Sequence, residues 1–225
     1  MSTHREVHED DAFHYLAGCT PDEHTGIVTS VPDADALSLT QLEYSEWLTT
    51  ACGALMGGLK DGCPLVLFQT DRKADGVWNS KAHQIMQQAD LRGLDLLWHK
   101  IVVRRDPGKV DIHRPGFSHL IAFGYKCRPG KATPDLIERS KPVYKEGAPL
   151  GAAMVAAQFI LNSGCDTLLD PFCGMGTFLA AANAVGMNSI GVEIDHERAE
   201  RARILAPYDL VPGFRGNPSC WTVEP

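Results

Sequence analysis

Short continuous apolar runs alternate with amphipathic stretches along most of the chain, a pattern typical of an α/β protein. Apolar runs without alternation indicate strands that are buried on both faces of a parallel sheet. Apolar residues spaced three and four apart, closed by glycine or proline, indicate helices. The predicted strands are 26–30, 64–70, 94–103, 117–124 and the runs ending at Asp170 and Glu193, and the predicted helices are 39–59, 80–91, 148–161 and 178–185.

Two of the predicted strands, 94–103 and 117–124, are joined by a loop that contains proline and glycine, which favours an antiparallel hairpin. The predicted fold class is therefore a mostly parallel, twisted α/β sheet with an antiparallel hairpin at one edge. Segments without apolar periodicity flank this arrangement. The remaining expectations are a single domain over 11–206, a flexible lead over 1–10, a surface loop over about 129–147 and an irregular tail over 207–225.

The composition is that of a globular protein, with 225 residues of which 44% are hydrophobic and 22% charged. No apolar stretch is long enough to span a bilayer, and the N-terminal residues are polar, so we expect a cytoplasmic protein without a membrane partner. Seven cysteines without a C-x-x-C pair predict reduced, mostly buried thiols and no metal site.

The net charge of −7 disfavours nonspecific binding of long duplex DNA, because such binding depends on basic side chains that neutralise phosphates. Any basic surface must therefore be local. A second interpretation of the basic residues is a set of solvated loop charges. The candidates for a local basic surface are Lys100, Arg104, Arg105, Lys109, Arg114, Lys126, Arg128 and Lys131.

One stretch, residues 167–195, carries the strongest functional signal. An apolar run leads into D-P-F-C-G-M-G-T (Asp170 to Thr177), a small-residue helix follows, and a second apolar run ends at Glu193. Glycines let the backbone approach a ligand closely, and a carboxylate about 20 residues further on is suited to ribose hydroxyls. A dinucleotide site would need a third glycine where Leu179 stands. The pattern predicts a nucleoside cofactor site, and the alternative is an ordinary buried βαβ unit.

The D-x-F-x-G-x-G-T run resembles the cofactor motif of the SAM-dependent DNA/RNA amino-methyltransferase superfamily (N4/N6-methylase-like), in which SAM is S-adenosyl-L-methionine. The run lies late in the chain and a strand with a proline turn lies early, as in the circularly permuted class of that superfamily. The resemblance covers roughly residues 10–201 and implies a Rossmann-like fold with a catalytic half (about 11–128) and a cofactor half (about 148–206). The cofactor contacts that it implies are Asp11, Asp170, Phe172, Cys173, Gly174, Gly176, Thr177 and Glu193.

In that superfamily a D/N/S-P-P-Y/F/W motif offers a side chain and a turn carbonyl as acceptors for the target amine, and its aromatic ring stacks on the flipped-out base. The corresponding segment is Ser30-Val31-Pro32-Asp33, which lacks the aromatic residue. The catalytic residues implied are Ser30, Pro32 and Asp33. Asp33 could act as a general base or accept a hydrogen bond from the amine. The alternative is that Ser30 and Asp33 cap a turn.

Four further residues are candidates for substrate contacts. Trp78, in a turn-rich loop, could supply the missing aromatic ring. Trp98-His99-Lys100 resembles the W-x-K segment of the family, which makes His99 a catalytic candidate and Lys100 a candidate contact for phosphate or substrate. Arg104 follows in the basic segment. The alternatives are a tryptophan at the core edge, a core histidine and solvated charges.

The function implied is a SAM-dependent methyltransferase that acts on a base nitrogen or a hydroxyl of a nucleic acid. We expect structured RNA, tRNA included, rather than DNA. The acidic chain lacks room for a separate target-recognition domain, and a folded RNA can present an unpaired nucleotide. The alternatives are a DNA N4/N6 amino-methyltransferase, a small-molecule or protein methyltransferase, and a SAM-binding module without activity.

Overall fold

The computed structural model describes residues 3–74, 76–128, 130, 132–144 and 147–206, so the predicted tail over 207–225 lies outside the described residues. The strands are β1 (Arg5–Glu9), β2 (Thr25–Thr29), β3 (Pro64–Gln69), β4 (Arg72–Ala74), β5 (Val77–Asn79), β6 (Asp95–Val103), β7 (Phe117–Gly124), β8 (Leu136–Ile137), β9 (Thr167–Asp170) and β10 (Asn188–Glu193). The helices are α1 (Ala12–Gly18), α2 (Ala34–Leu37), α3 (Gln41–Gly57), α4 (Lys81–Leu91), α5 (Leu150–Asn162), α6 (Thr177–Ala184) and α7 (His196–Ile204).

Within the described residues, eight strands form one sheet in the order β1-β10-β9-β2-β3-β7-β6-β8, and β4 and β5 form a separate antiparallel pair. The strands from β1 to β3 in this order are parallel to their neighbours, whereas β7 is antiparallel to both β3 and β6. The predicted fold class is confirmed, including the antiparallel hairpin near one edge. The short strand β8 lies outside that hairpin, parallel to β6.

The centre of the sheet is buried, as its unbroken apolar sequences predict. All residues of β2 and β3 are buried. Helices α5 and α6 pack together, with α5 against β2, β3 and β9 and α6 against β9 and β10. Helices α3 and α4 form a second pair, and α4 lies against β6 and β7. Buried apolar side chains from these elements form one continuous core.

Helix α5 approaches β2 closely at a glycine. A Cβ on Gly26 would lie 2.4 Å from the Cγ2 atom of Ile160, a distance that real atoms do not adopt. Ile160 is fully buried, and its β-branched side chain has little freedom to move aside. The contact therefore fixes how near α5 lies to β2, the strand that leads to Ser30.

Two segments predicted to be irregular contain strands. Residues 5–9 form β1, parallel to β10, so the predicted flexible lead over 1–10 is wrong there. Val7 is the one buried residue of β1. The sequence of β1 is therefore mostly polar and lacks the apolar run by which a central strand is recognised. The predicted surface loop over 129–147 contains β8.

The described cysteines are free thiols, and all except Cys19 are buried, in agreement with the predicted reduced state. No helix in the described part of the chain is both long and apolar enough to cross a bilayer.

Candidate active site

The carboxyl ends of β9 and β2 lie side by side, although these strands come from distant parts of the chain. From this pair the chain continues in opposite directions, through α6 to β10 and through α3 to β3. Such a switch point opens a crevice at the carboxyl edge of a parallel sheet. Ser30 follows β2, Asp170 ends β9 and Glu193 ends β10, so the predicted catalytic and cofactor segments share this edge.

The turn between β9 and α6 needs two glycines for different reasons. Gly174 has a φ of 54° and Gly176 a φ of 86°, in the left-handed region that favours glycine. A Cβ on Gly176 would lie 2.9 Å from the Cα of Ala202, so this glycine allows α7 to pack against the turn. A backbone contact between Gly176 and the cofactor stays a prediction. A Cβ on Gly174 would instead lie 2.8 Å from the hydroxyl oxygen of Tyr144.

Glu193 is tied directly to the glycine turn. One carboxylate oxygen accepts a hydrogen bond from the backbone N–H of Gly174 at 2.9 Å, and the other accepts one from the N–H of Asp195 at 3.0 Å. A carboxylate oxygen can accept more than one hydrogen bond, so the half-buried Glu193 can still accept from two vicinal hydroxyls. The predicted pair of glycine turn and acidic strand end therefore forms one structural unit.

Asp170 lies beneath this unit. Its side chain is buried and accepts a hydrogen bond from the N–H of Phe172 at 3.2 Å. Burial raises the pKa of Asp170 to about 7, an effect that the neighbouring Thr29 hydroxyl and the Phe172 N–H only partly offset. Asp170 therefore supports the glycine turn from the protein interior, through its hydrogen bond with the Phe172 N–H.

The edge has the polar and aromatic groups that a nucleoside cofactor needs. Two buried hydroxyl groups lie at this edge, that of Thr29 beside Asp170 and that of Thr177 beside Tyr144. Half-buried Phe13, Trp47 and Phe172 pack edge to face, with ring centroids 5.8, 5.9 and 6.2 Å apart. The site thus fits SAM, with an acceptor for a ribose and an aromatic wall for an adenine.

Two predicted cofactor contacts have other roles in the structure. The Sγ atom of Cys173 lies beneath the turn, 2.8 Å from the place of a Cβ on Gly191, so the thiol is a core group. The exposed Asp11 caps α1, because its side chain accepts hydrogen bonds from the N–H groups of Phe13 and His14. An adenine contact from Asp11 stays a prediction.

The S-V-P-D turn is held by helix α3. The hydroxyl of Tyr44 donates a hydrogen bond of 2.8 Å to the carbonyl oxygen of Pro32. Tyr44 is only 2% exposed, so this carbonyl faces the protein interior. That orientation counts against Pro32 as the acceptor of a target amine. The half-buried Ser30, at the crevice itself, is left as the acceptor.

Asp33 is surrounded by cations. Its carboxylate lies 2.5 Å from the Nζ atom of Lys81, 2.8 Å from Nη2 of Arg114 and 3.3 Å from Nη2 of Arg72. Burial disfavours the charged form, but the three cations outweigh it and lower the pKa of Asp33. A carboxylate held in its ionised form by three cations is a poor general base, so the geometry argues against that role. Its side chain does not cap α2 either.

Trp78 lies in β5 rather than in an irregular loop. Its Nε1 atom donates a hydrogen bond of 2.9 Å to the buried carboxylate of Asp71, at the carboxyl end of β3. The indole is 47% exposed, with the ammonium of Lys73 located 5.0 Å from the ring centroid. An anchored, half-exposed ring suits the predicted stacking role, which stays a prediction.

His99 belongs to a short chain of polar groups. Its Nε2 atom lies 2.8 Å from Nδ1 of His119, and Nε2 of His119 lies 3.4 Å from Asp71. Burial and the neighbouring His119 lower the pKa of His99, so the ring is held neutral. The histidine is a partnered group in the sheet, and a catalytic role stays a prediction.

Lys100 and Arg104 differ in their surroundings. Lys100 is 3% exposed and donates hydrogen bonds to the carbonyl oxygens of Thr133 and Pro134, at 3.1 and 2.9 Å. The proposed contact between Lys100 and a phosphate is therefore corrected, because the ammonium has structural acceptors inside the protein. Arg104 is half-buried beside Arg114, and its Nη1 atom has no hydrogen-bond partner among the described residues.

Comparisons with known proteins point to one group of enzymes. Residues 159–203 match the family model described as DNA methylase, of the N6/N4 type. The chain is 20% identical to TTHA0409 of Thermus thermophilus, described provisionally as a DNA modification methylase. The TM-score is 0.69, with 93% of this chain and 97% of that one covered. For TTHA0409 with bound SAM the TM-score is 0.68 at 21% identity, with 94% and 98% covered.

A third structure, the cytosine-N4-specific PvuII DNA methyltransferase, has a TM-score of 0.68 at 15% identity, with 99% of this chain and 91% of that one covered. The chain has the N4/N6 amino-methyltransferase fold. The structural matches confirm the fold that the resemblance implied, and the family model agrees with the resemblance over residues 159–203. A search of curated protein sequences found no match.

Several residues of the candidate site have no recognisable pattern in the sequence. Asp71 could have been found, because a polar residue directly after a buried strand commonly faces the ligand edge. No local pattern marks Lys81 or Arg114, which reach Asp33 only through the tertiary fold. The same holds for Tyr144, whose hydroxyl accepts a hydrogen bond from the N–H of Met175 at 3.3 Å.

Proposed function

We propose that this protein is a SAM-dependent methyltransferase whose substrate is an amino group of a DNA base. The observation that supports the proposal is the hydrogen bond between the Glu193 carboxylate and the Gly174 N–H, because it joins the acidic strand end to the glycine turn at the same sheet edge as Ser30. SAM supplies the methyl group when bound. The residues of this chain that would hold it are Glu193, Phe172 and the backbone from Cys173 to Thr177.

The protein's contribution to the reaction is positioning. Ser30 accepts a hydrogen bond from the target amine at the carboxyl end of β2, which directs the nitrogen lone pair along the crevice. With SAM bound, the bond between its methyl carbon and sulfonium sulfur would break as the amine nitrogen forms the new bond, which would leave the cofactor as a neutral thioether. The nitrogen, positively charged after the transfer, would then lose a proton to solvent. Asp33 does not take the proton, because three cations keep its carboxylate ionised and engaged. Trp78 offers the aromatic face that the S-V-P-D turn lacks.

DNA is preferred over the initially expected RNA for one reason. One of the two arguments for RNA was that the chain lacks room for a separate target-recognition domain. TTHA0409, described provisionally as a DNA modification methylase, matches this chain over 97% of its own length, so a chain of similar extent is described as acting on DNA. That argument against DNA therefore fails, and no comparison supports RNA.

Transfer of a labelled methyl group tests the proposal and the choice of polymer together. Purified protein is incubated with radiolabelled SAM and either genomic DNA or total RNA, and the products are digested to nucleosides. We expect label in one methylated DNA nucleoside, sensitive to DNase. Label confined to an RNA nucleoside would move the substrate to RNA, whereas SAM binding without transfer to any polymer would contradict the proposed activity.

The substitution Glu193→Gln tests the cofactor site. Glutamine has one acceptor oxygen where glutamate has two, and it is uncharged. Its NH2 group would therefore face the N–H of Gly174 or that of Asp195, and the capacity to accept from ribose hydroxyls would fall. Hydrogen bonds to charged groups contribute about 1.5–3 kcal/mol. We therefore expect the Kd for SAM, measured by calorimetry, to rise about ten- to a hundredfold. Glu197→Gln, on the exposed side of α7, is the matched control and should bind SAM like the unmodified protein. Equal affinity in both variants would contradict the assignment of Glu193.

A further inference from the structure

The side chains around Asp33 form a cation cluster, defined here by Arg72, Lys81, Arg104, Arg105 and Arg114. Asp33 contacts three of them, Arg72 also pairs with Asp35, and Arg105 pairs with Asp111. In the part of the chain that the structure describes, five cations thus meet three carboxylates, and two positive charges are left in excess. The excess is local, because the whole chain has a net charge of −7.

The cluster contains a buried donor that lacks an acceptor among the described residues. Burial, together with Arg114 and Arg105, lowers the pKa of Arg104, which shows that its guanidinium stands among like charges. Its Nη1 atom is buried and has no hydrogen-bond partner within the described residues. A buried charged donor without an acceptor is costly. An anion at this position would remove that cost.

Exposed apolar side chains border the cluster on two sides. Val77 and Trp78 belong to the β4–β5 pair and are 60% and 47% exposed. Val110 and Ile112, in the loop between β6 and β7, are 87% and 75% exposed. A backbone hydrogen bond from Lys73 N–H to the His113 carbonyl, 2.8 Å long, joins these two segments into one surface. Cations framed by apolar and aromatic groups suit a nucleotide chain, whose phosphates and bases alternate.

The chain position of Asp33 connects this surface to the crevice, because Asp33 follows Ser30 by three residues in the same turn. We propose that the cation cluster binds a phosphodiester group of the nucleic-acid substrate, next to the nucleotide that reaches Ser30. In this arrangement Asp33 is a positioning residue that holds Lys81, Arg72 and Arg114 around the phosphate site. The inference rests on the proposed function, and it explains why an acidic residue stands where the family motif has an aromatic one.

Salt dependence of DNA binding tests the inference. The Kd for a fluorescein-labelled oligonucleotide, single-stranded or duplex, is measured by anisotropy over a series of KCl concentrations. Each phosphate contact contributes about 0.7 (single strand) to 0.9 (duplex) to the slope of log K against log salt. We expect Arg114→Gln and, separately, Arg104→Gln to lower the slope by about one such unit. Arg114→Lys, which keeps the charge, should restore it.

The matched control is Lys126→Gln, because Lys126 also pairs with a carboxylate, Asp61, but is 80% exposed at the opposite end of β7. Its slope should equal that of the unmodified protein. Equal slopes in all variants would overturn the inference, as would displacement of the oligonucleotide by millimolar inorganic phosphate at constant ionic strength, which would indicate a site for a small anion. Thermal melting of each variant identifies any loss of folding.

The same protein preparations separate this inference from the proposed function. SAM binding is measured by calorimetry for every variant, and the cluster variants should keep it. If the unmodified protein binds SAM but no oligonucleotide, the phosphate site is refuted while the cofactor site stands. If the slopes change as expected but SAM does not bind, the proposed function fails and the phosphate site stands.

Discussion

Gly174 is under two constraints, its backbone conformation and its neighbour. Its φ of 54° disfavours any side chain, and the Tyr144 hydroxyl fills the space that a Cβ would need. Gly186 also has a positive φ, of 89°, but no atom lies within 4 Å of the place of its Cβ. The two glycines therefore share the conformational constraint and differ in the steric one.

The pair Gly174→Ala and Gly186→Ala separates these constraints. Both variants should lose about 1–2 kcal/mol of unfolding free energy in urea titrations, because alanine is strained in the left-handed region. Only Gly174→Ala should also lose SAM binding, since its methyl group enters the turn beneath the cofactor site. Calorimetry with SAM compares them directly. Retained affinity in Gly174→Ala would show that the turn does not approach the cofactor.

The raised pKa of Asp170 predicts that the free energy of unfolding depends on pH. Its folded pKa of about 7 lies above the ordinary value for aspartate, so the folded state binds more protons than the unfolded state between about pH 4 and 7. The contribution of Asp170 to stability is therefore fully present below pH 4 and is lost as the pH rises through 7. Each unit of pKa difference corresponds to about 1.4 kcal/mol.

The variant Asp170→Asn should lack this dependence. Because asparagine does not ionise, we expect the difference in unfolding free energy between variant and unmodified protein to shift in favour of the variant from pH 5 to pH 8. Urea titrations without cofactor measure it. A difference that stays constant with pH would mean that Asp170 ionises normally in the fold.

Residues of the candidate site were predictable where they are neighbours in sequence. The glycine turn and Glu193 belong to one βαβ unit whose order and spacing are visible in the chain. The partners of Asp33 were not predictable, because Lys81 belongs to α4 and Arg114 to the loop between β6 and β7, both distant from Asp33 in sequence. From the sequence alone, the aspartate of the S-V-P-D turn suggests a general base. The cations that surround it in the structure argue against that role.

At the scale of elements, the closest approach is that of α5 to β2. Gly26→Ala would place a methyl group 2.4 Å from the Cγ2 atom of Ile160, and overpacking of this kind costs about 1–3 kcal/mol. We therefore expect Gly26→Ala to unfold at a lower urea concentration than the unmodified protein. Gly57→Ala, near the end of α3 with no atom within 4 Å, should be neutral or stabilising.

A double variant tests the mechanism of that loss. In Gly26→Ala/Ile160→Ala the methyl group introduced on β2 enters space vacated by the isoleucine. The loss of unfolding free energy should therefore be smaller than the sum of the two single losses. If the losses of unfolding free energy in the two single variants are additive, the methyl group at position 26 acts by moving α5 away from β2 rather than by a clash with Ile160.

Elements were predictable where burial gives an unbroken apolar run. Strands β2 and β3 and helices α3, α4 and α5 appear within a few residues of their predicted bounds. Strand β1 was missed because an edge strand with one buried residue needs no apolar run. The β4–β5 pair and β8 have three and two residues per strand, too short to carry a periodicity.

At the scale of the whole molecule, the net charge does not reveal where charged side chains cluster. The value of −7 suggested a weak interaction with duplex DNA, yet the structure gathers five cations at one edge. The net charge of a chain is a sum over its whole surface, so it does not give the charge of any one region. The potential at the crevice depends on the few groups near it, because exposed charges further away than about 10 Å are screened by salt.

The pairing of β1 with β10 imposes an order on biosynthesis. His4, just ahead of β1, and its hydrogen-bond partner Asn188 are 184 residues apart. At about 5–20 residues per second a ribosome needs roughly ten to forty seconds to cover that distance. Throughout this interval β1 lacks the strand with which it pairs, because β10 does not yet exist. A nascent polypeptide must therefore keep its leading polar strand unpaired, and its sparse hydrophobicity protects it from aggregation while it waits.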